Sequence, residues 1–180
     1  MNHTEATRAM LGTVQLAISA PSAQPFPVEA QVSEEDTYLV LSSPREVPPL
    51  PNPDPHQAMR DLMDFEPYPP GTICFREGHP LQILAVVHDL NDSPSWREEW
   101  ISTVIRKILE ECELRELSAI GLPVLGAMHG SLTPYRFGVM LREALRNLQP
   151  RYLRYLWIVL PEDTLLEERD RLVQALSAKK

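Results

Sequence analysis

The segment that decides the fold spans residues 81–124 and reads LQILAVVHDLNDSPSWREEWISTVIRKILEECELRELSAIGLPV. It begins with the nearly continuous apolar run Leu81–His88, which is typical of a strand covered on both faces. Apolar residues then recur at i, i+3 and i+4 from Ile101 to Cys112, the pattern of an amphipathic helix. A second apolar run covers 117–124. A strand, a crossover helix and another strand predict two parallel strands of one sheet.

The same alternation continues to the end of the chain. Thr133 and Pro134 have the residue types of a helix start, and Thr164 with Glu167 is expected to open a terminal helix. We therefore expect strands near 82–88, 118–124 and 153–160 to be adjacent in one sheet, with helices near 96–113, 134–148 and 164–177 on its faces. The predicted fold class is a three-layer α/β/α sandwich with a mostly parallel, mixed sheet.

The first 80 residues carry weaker signals. Thr13–Ala20 and Thr37–Leu41 have strand-like composition and flank a turn cluster at Pro21–Pro27. Nine of the 18 prolines lie between positions 44 and 70, and such a run cannot form a regular element. We interpret 44–70 as a long loop within one domain, with a short helix possible at 55–65; a proline-rich ligand for another protein is the alternative.

Length and charge exclude several classes of protein. The 180 residues fit a single domain, 1–180, and the net charge of −8 argues against a direct nucleic-acid binder. No stretch approaches the roughly 20 apolar residues that a membrane span needs, and no signal peptide is visible. Cys74 and Cys112 lack metal-ligand spacing, so we read them as reduced thiols of a cytoplasmic protein. No metal site or cofactor is expected.

The loop after the second strand is the candidate ligand site. Residues 122–134 read LPVLGAMHGSLTP and run from a strand directly into a helix. Glycines at 126 and 130 let the backbone approach a ligand, and a helix start offers unpaired N–H groups, which together suit a diphosphate. The candidate binding residues are Leu125, Gly126, Ala127, Met128, His129, Gly130 and Ser131. The alternative is a turn that only joins strand to helix.

Residues 117–130, LSAIGLPVLGAMHG, resemble the macro-domain segment written S-I-A-F-P-A-I-G-T-G-I-Y-G. His88 matches the histidine that ends the family's "Y-V-I-H" strand, Gly71 its "G-E-A" strand start, and 155–160 its last strand. The resemblance covers 71–177 and implies a macro-type α/β fold. Macro domains bind ADP-ribose and related nucleotides, and some hydrolyse ADP-ribose linked to proteins or to an acetyl group.

The departures from that family concern its first loop. The family writes N-A-A-N and a glycine run after an early strand, whereas this chain has LSSP at 41–44. Ser42 and Ser43 remain candidates to hydrogen-bond a sugar hydroxyl. The family's adenine-reading Asp-Ile pair has its nearest equivalent in Gln31-Val32, without the carboxylate. Ala127 replaces a glycine and would be strained if it needed a positive φ.

His88 and His129 are the two histidines with a candidate functional role. His129 is either a phosphate donor or general acid, or a solvent-facing loop residue, and the second reading is preferred because no catalytic partner is identifiable. For His88 the expected role is a hydrogen bond inside the fold. No Ser-His-Asp spacing is visible, and the catalytic residues are unknown.

Two functions of different class follow. The first is a divergent macro-type module that binds ADP-ribose or a related nucleotide diphosphate through 125–134. The second is a macro-like scaffold that has lost the nucleotide pocket and acts as a structural or protein-interaction domain. Catalysis ranks below both; the resemblance implies an ADP-ribosyl hydrolase if the chain is active. An oligomer is possible, and no membrane partner is expected.

Overall fold

The computed structural model describes residues 6–41 and 66–178. A seven-stranded mixed sheet runs through this part of the chain in the order β1-β2-β7-β6-β3-β5-β4. The strands are β1 (Thr7–Leu11), β2 (Val14–Ser19), β3 (Ala30–Asp36), β4 (Thr72–Arg76), β5 (Leu81–His88), β6 (Ala119–Pro123) and β7 (Tyr155–Val159). The helices are α1 (Glu98–Leu114), α2 (Pro134–Leu148) and α3 (Leu166–Ser177). The five central strands are parallel, and β1 and β4 are antiparallel to their neighbours.

This arrangement confirms the predicted α/β class with a mostly parallel, mixed sheet. The crossovers through α1 and α2 advance in the same direction along the sheet. Because α1 packs on α2 and α2 packs on α3, these three helices lie on one face. The described residues therefore supply one helical layer. Side chains on the opposite face, such as Ala17, Val86 and Trp157, are also buried.

Strand β3 corrects the predicted strand order. It lies between β5 and β6, so the strands at 81–88 and 119–123 are not adjacent as expected, although β6 and β7 are. The prediction of a strand at 37–41 is also wrong, because β3 ends at Asp36 and turns follow it. The segment AQVSEED was missed since its three consecutive acidic residues are unusual in a buried strand. The edge strand β1 was missed as well.

The three helices lie where the sequence pattern predicts them, but some of their starts and caps differ from the prediction. Thr133 caps α2 as expected, since its Oγ1 accepts from the N–H of Arg136. The predicted start of α3 with Thr164 is wrong, because the helix begins at Leu166 and the Thr164 hydroxyl donates to the Pro161 carbonyl. Likewise α1 begins at Glu98 without a side-chain cap. None of the described helices combines the length and apolar character of a membrane span.

The core lies between the sheet and the helical layer. It joins Leu16 and Ile18 of β2, Ile83 of β5 and the apolar stripes of α1 and α2, including Ile105 and Phe137. Each is fully buried. Burial on this scale contributes about 1.5–3 kcal/mol per large side chain. The core thus fixes the sheet against the helices and leaves the carboxyl ends of the parallel strands free to form a site.

Candidate functional site

The carboxyl ends of β3, β6 and β7 frame a crevice next to the 125–134 loop. It encloses a cavity of about 270 Å³, with Val32 and Glu34 from β3, Val124, Met128 and His129 from the loop region, and Leu160 after β7. Such crevices at the ends of parallel strands are the usual ligand sites of open α/β sheets. No lysine or arginine is among the described residues that line this cavity.

The loop is closed by its own backbone around Gly126. This residue has φ +78° and its carbonyl accepts from the N–H of Leu132 at 3.1 Å. The N–H of Ala127 donates to the Val124 carbonyl at 3.2 Å. Ala127 itself is not in the left-handed region, so the strain considered at that position does not arise. Leu125 is fully buried and is not among the residues that line the cavity.

Four consecutive backbone N–H groups of the loop are unpaired within the described part of the chain. They belong to Met128, His129, Gly130 and Ser131, none of which donates to a described residue. Successive N–H groups followed by a helix start form a concave surface with positive partial charge, which favours anions. Of the two glycines, only Gly130 keeps an unpaired N–H within the described residues, because the Gly126 N–H donates to Glu34.

Gly130 is required by packing within the loop. A Cβ atom there would lie 2.5 Å from the Gly126 carbonyl oxygen and 2.7 Å from Cδ1 of Trp96. The first contact involves backbone and cannot be relieved by a side-chain rotation. A larger residue at 130 would therefore reshape the loop before it obstructed any ligand.

His129 and Met128 are both exposed, and Met128 has 63% of its surface accessible. The His129 ring packs edge-on against the ring of His88 with centroids 6.0 Å apart. The preferred solvent-facing reading of His129 thus agrees with its exposure. The nearby cation Arg136 is engaged elsewhere, because its guanidinium binds Glu98 at 2.8 Å and the hydrogen bond lowers the pKa of that carboxyl.

A buried hydrogen-bond chain lies beneath the loop. Glu34 Oε1 pairs with His88 Nε2, and Glu34 Oε2 accepts from the Gly126 N–H at 2.8 Å. His88 Nδ1 lies 3.3 Å from Ser95 Oγ. His88 is 1% exposed, which confirms its expected role as a hydrogen-bonding residue within the fold.

Sequence reasoning missed Glu34 and Ser95 because they are 61 positions apart along the chain. The one sequence signal for Glu34 was the acidic run EED, which ends β3 in a region of low strand propensity. A register shift between Glu35 and Asp36 makes His88 pair with Asp36, so His88 lies on the same face of the sheet as Glu34.

Asp36 organises the segment after β3. Its buried carboxylate accepts from the N–H groups of Tyr38, Val40 and Leu41, at 2.6, 3.1 and 3.2 Å. Strand β3 thus ends in three carboxylate side chains, of which Asp36 holds the following turn in place. Ser42 and Ser43 lie outside the described residues, as do most of 44–70 and the suggested helix at 55–65, so their assigned roles stay predictions.

No family model and no curated protein matches the sequence. A macrodomain of Oceanobacillus iheyensis, solved with ADP, is similar with a TM-score of 0.69 and 16% identity over 97% of this chain and 96% of that one. The macrodomain of Thermus aquaticus DarG gives a TM-score of 0.56 and 21% identity over 81% and 98%.

A third similar structure is a Trypanosoma brucei macrodomain in complex with ADP-ribose, with a TM-score of 0.60 and 13% identity. It is matched over 90% of this chain and 69% of its own. These identities are low, so the comparisons bear on the fold and leave the ligand open. The order of strands, the parallel core of the sheet and the extent of these matches lead to one conclusion: the chain has the macrodomain fold.

Proposed function

We propose that this chain binds ADP-ribose or a related nucleotide diphosphate through the 125–134 loop. The observation that carries the proposal is the set of unpaired N–H groups from Met128 to Ser131, at the carboxyl edge of the central strands. Backbone donors hold a diphosphate without needing a cationic side chain. The ADP and ADP-ribose bound to structurally similar macrodomains support this choice of ligand.

The apolar lining of the crevice suits the remainder of such a ligand. Val32, Val124 and Leu160 provide apolar surface for a base, while His129 adds a polar group. Both cysteines are free, which favours a cytoplasmic site of action. We expect a weak affinity, because the family's asparagine pair and glycine run are absent. Two or three missing hydrogen bonds at about 1–3 kcal/mol each move a tight ligand to high-micromolar or millimolar dissociation constants.

Glu34 supports the second candidate function, a scaffold without a nucleotide pocket. Glu34 is among the residues that line the cavity, and its carboxylate already accepts the Gly126 N–H. A negative charge at this place opposes binding of a diphosphate. These features favour a domain that keeps the fold and lacks the ligand.

Calorimetric titration with ADP-ribose separates the two functions. Binding at high-micromolar or millimolar ligand supports the first, and Gly130→Val should abolish it because the Cβ forces the loop to rearrange. His129→Ala is the matched control, since it keeps every backbone N–H and should change the dissociation constant less than threefold. No heat change at millimolar ADP-ribose, with the protein shown to be folded, would leave the scaffold function.

A further inference from the structure

We propose that Ser95, His88 and Glu34 form a nucleophilic serine centre that hydrolyses small carboxylic esters. Ser95 supplies the nucleophile, His88 is the general base, and Glu34 is the positioning residue. The three side chains form a continuous hydrogen-bond chain, from Ser95 Oγ to His88 Nδ1 at 3.3 Å and from His88 Nε2 to Glu34 Oε1. This activity does not depend on the proposed nucleotide binding, although both use backbone N–H groups of the 125–134 loop.

The proton positions follow from the partners of Glu34. An ionised carboxylate only accepts hydrogen bonds, and its other oxygen takes the Gly126 N–H at 2.8 Å. The His88 nitrogen that faces Glu34 must therefore carry a hydrogen. In the neutral ring this leaves Nδ1 as an acceptor aimed at the Ser95 hydroxyl. A base that is oriented by an acid and accepts from a serine hydroxyl has the logic of a Ser-His-acid triad.

The backbone holds Ser95 in this position. Asp89 N–H donates to the Ser95 carbonyl at 2.7 Å, and Trp96 forms an isolated antiparallel bridge with His88. The segment after β5 thus folds back so that Ser95 faces the end of its own strand. His88 is almost fully buried whereas Ser95 is partly exposed. The base is shielded from water, and the hydroxyl remains within reach of a substrate.

The candidate donors for a developing oxyanion belong to the 125–134 loop, which packs against Trp96 and His88. Gly130 lies against Trp96, the residue after Ser95, and the His129 ring packs on His88. The N–H groups at 129 and 130 have no partner among the described residues. Preorganised N–H groups beside a serine are the elements that stabilise a tetrahedral intermediate.

The reaction that this arrangement supports has two steps. Ser95 Oγ bonds to the acyl carbon while its proton moves to His88 Nδ1; the bond from that carbon to the alkoxy oxygen breaks, and the leaving alcohol takes the proton. Water then attacks the acyl-serine and passes a proton to His88. The Oγ–acyl bond breaks, Ser95 regains the proton and the carboxylic acid leaves. Water is the only co-reactant.

The experiment uses a fluorophosphonate probe and p-nitrophenyl acetate on the full chain. We expect one phosphonyl adduct per chain, mapped to Ser95 by mass spectrometry, and none on Ser95→Ala. Ser102→Ala is the matched control, because Ser102 lies on the exposed face of α1 and should label at the wild-type rate. An unlabelled wild-type protein that is folded, or equal labelling of Ser95→Ala, overturns the proposal.

Glu34→Gln tests the positioning role. The amide keeps the size of the side chain but offers N–H₂ to His88, so the ring adopts the opposite tautomer and Nδ1 no longer accepts from Ser95. We expect kcat for p-nitrophenyl acetate to fall by roughly 100-fold with little change in KM. An unchanged kcat contradicts the role of Glu34. If Glu34→Gln does not fold, Ser95→Ala labelling still decides the proposal.

Discussion

At the scale of single residues, the two glycines of the loop are required for different reasons, backbone conformation and space. Gly126 has φ +78°, which L side chains rarely adopt, and is also closely packed. Gly130 is limited only by the space around it. The sequence shows two glycines four positions apart but does not show why each must be glycine. The reason at Gly126 includes a backbone dihedral angle, and the reason at Gly130 is contact with other residues, one of them distant along the chain.

The combined effect of the positive φ and the close packing at Gly126 can be measured as a loss of stability. In Gly126→Ala the Cβ would lie 2.5 Å from Ile101 Cδ1 and 3.2 Å from Leu132 Cβ, at a positive φ. We expect the free energy of unfolding to fall by about 2–4 kcal/mol, as the backbone strain and the overpacking add. Urea denaturation measures this change.

Gly12→Ala is the control for that experiment. Gly12 also has a positive φ, +61°, but a Cβ there would meet nothing within 4 Å. Gly12→Ala should therefore lower the free energy of unfolding only by the backbone strain, about 1–2 kcal/mol. Equal losses of stability in the two variants would show that packing around Gly126 contributes nothing.

At the scale of secondary-structure elements, buried carboxylates connect segments that are far apart along the chain. Glu34 and Asp36 make a polar strand, β3, stable at the centre of the sheet because N–H groups and His88 satisfy their oxygens. At the opposite end of the sheet Glu113, near the end of α1, accepts from the N–H groups of 151, 152 and 153 before β7.

Glu113 makes the stability of this connection dependent on pH. Burial alone would raise the pKa of Glu113, but the N–H groups of Arg151, Tyr152 and Leu153 outweigh it and lower the pKa below the ordinary value of 4.5. Since the pKa of Glu113 is lowered in the folded protein, its contribution to the free energy of unfolding is complete well above pH 4.5. This contribution is lost as the pH falls through the pKa of the folded state.

We expect Glu113→Gln to lower the free energy of unfolding by about 1–2 kcal/mol at pH 7. The difference from the wild-type protein should begin to shrink as the pH falls below 4.5 and should be lost as the pH passes through the lower pKa of Glu113 in the folded protein, because the protonated carboxyl is then as neutral as the amide. Urea denaturation at several pH values measures it. Glu77→Gln, at an exposed turn, is the matched control and should have little effect. A difference that does not shrink at all as the pH falls below 4.5 would contradict this role of the carboxylate.

At the scale of the whole molecule, Cys112 reports on the integrity of the core. It is completely buried in α1 within the main apolar cluster. Burial, with the charges of Glu113, Glu111 and Glu29, raises the pKa of its thiol to about 12. Cys74, in the edge strand β4, is partly exposed, and burial with the charge of Glu35 raises its pKa as well.

Alkylation with iodoacetamide at pH 8 should therefore modify Cys112 only after global unfolding, because the thiolate is the reactive form. Mass spectrometry of the native protein should show Cys74 modified first. In a Cys74→Ser background, the rate at Cys112 should follow the unfolded fraction as urea is raised. Modification of Cys112 in the native protein as fast as Cys74 would show local opening of α1.

The sequence by itself determined the elements whose period is regular. The apolar run at 81–88, the stripe from Ile101 to Cys112 and the helix at 134–148 have strong local patterns, and each appears in the structure. The glycine loop was also located from its spacing and its helix start. These features depend on neighbours within a few positions, so local sequence carries the information.

Only the tertiary structure decided what lies at the centre of the sheet and beneath the loop. β3 lies between β5 and β6 although three acidic residues stand at its end. One of them, Glu34, is stabilised there by His88 and Gly126, which lie 54 and 92 positions further along the chain. Ser95 reached His88 because the chain folds back after β5. A buried carboxylate is costly without partners and stable with them, and the pattern along a chain does not show which distant N–H groups will be present.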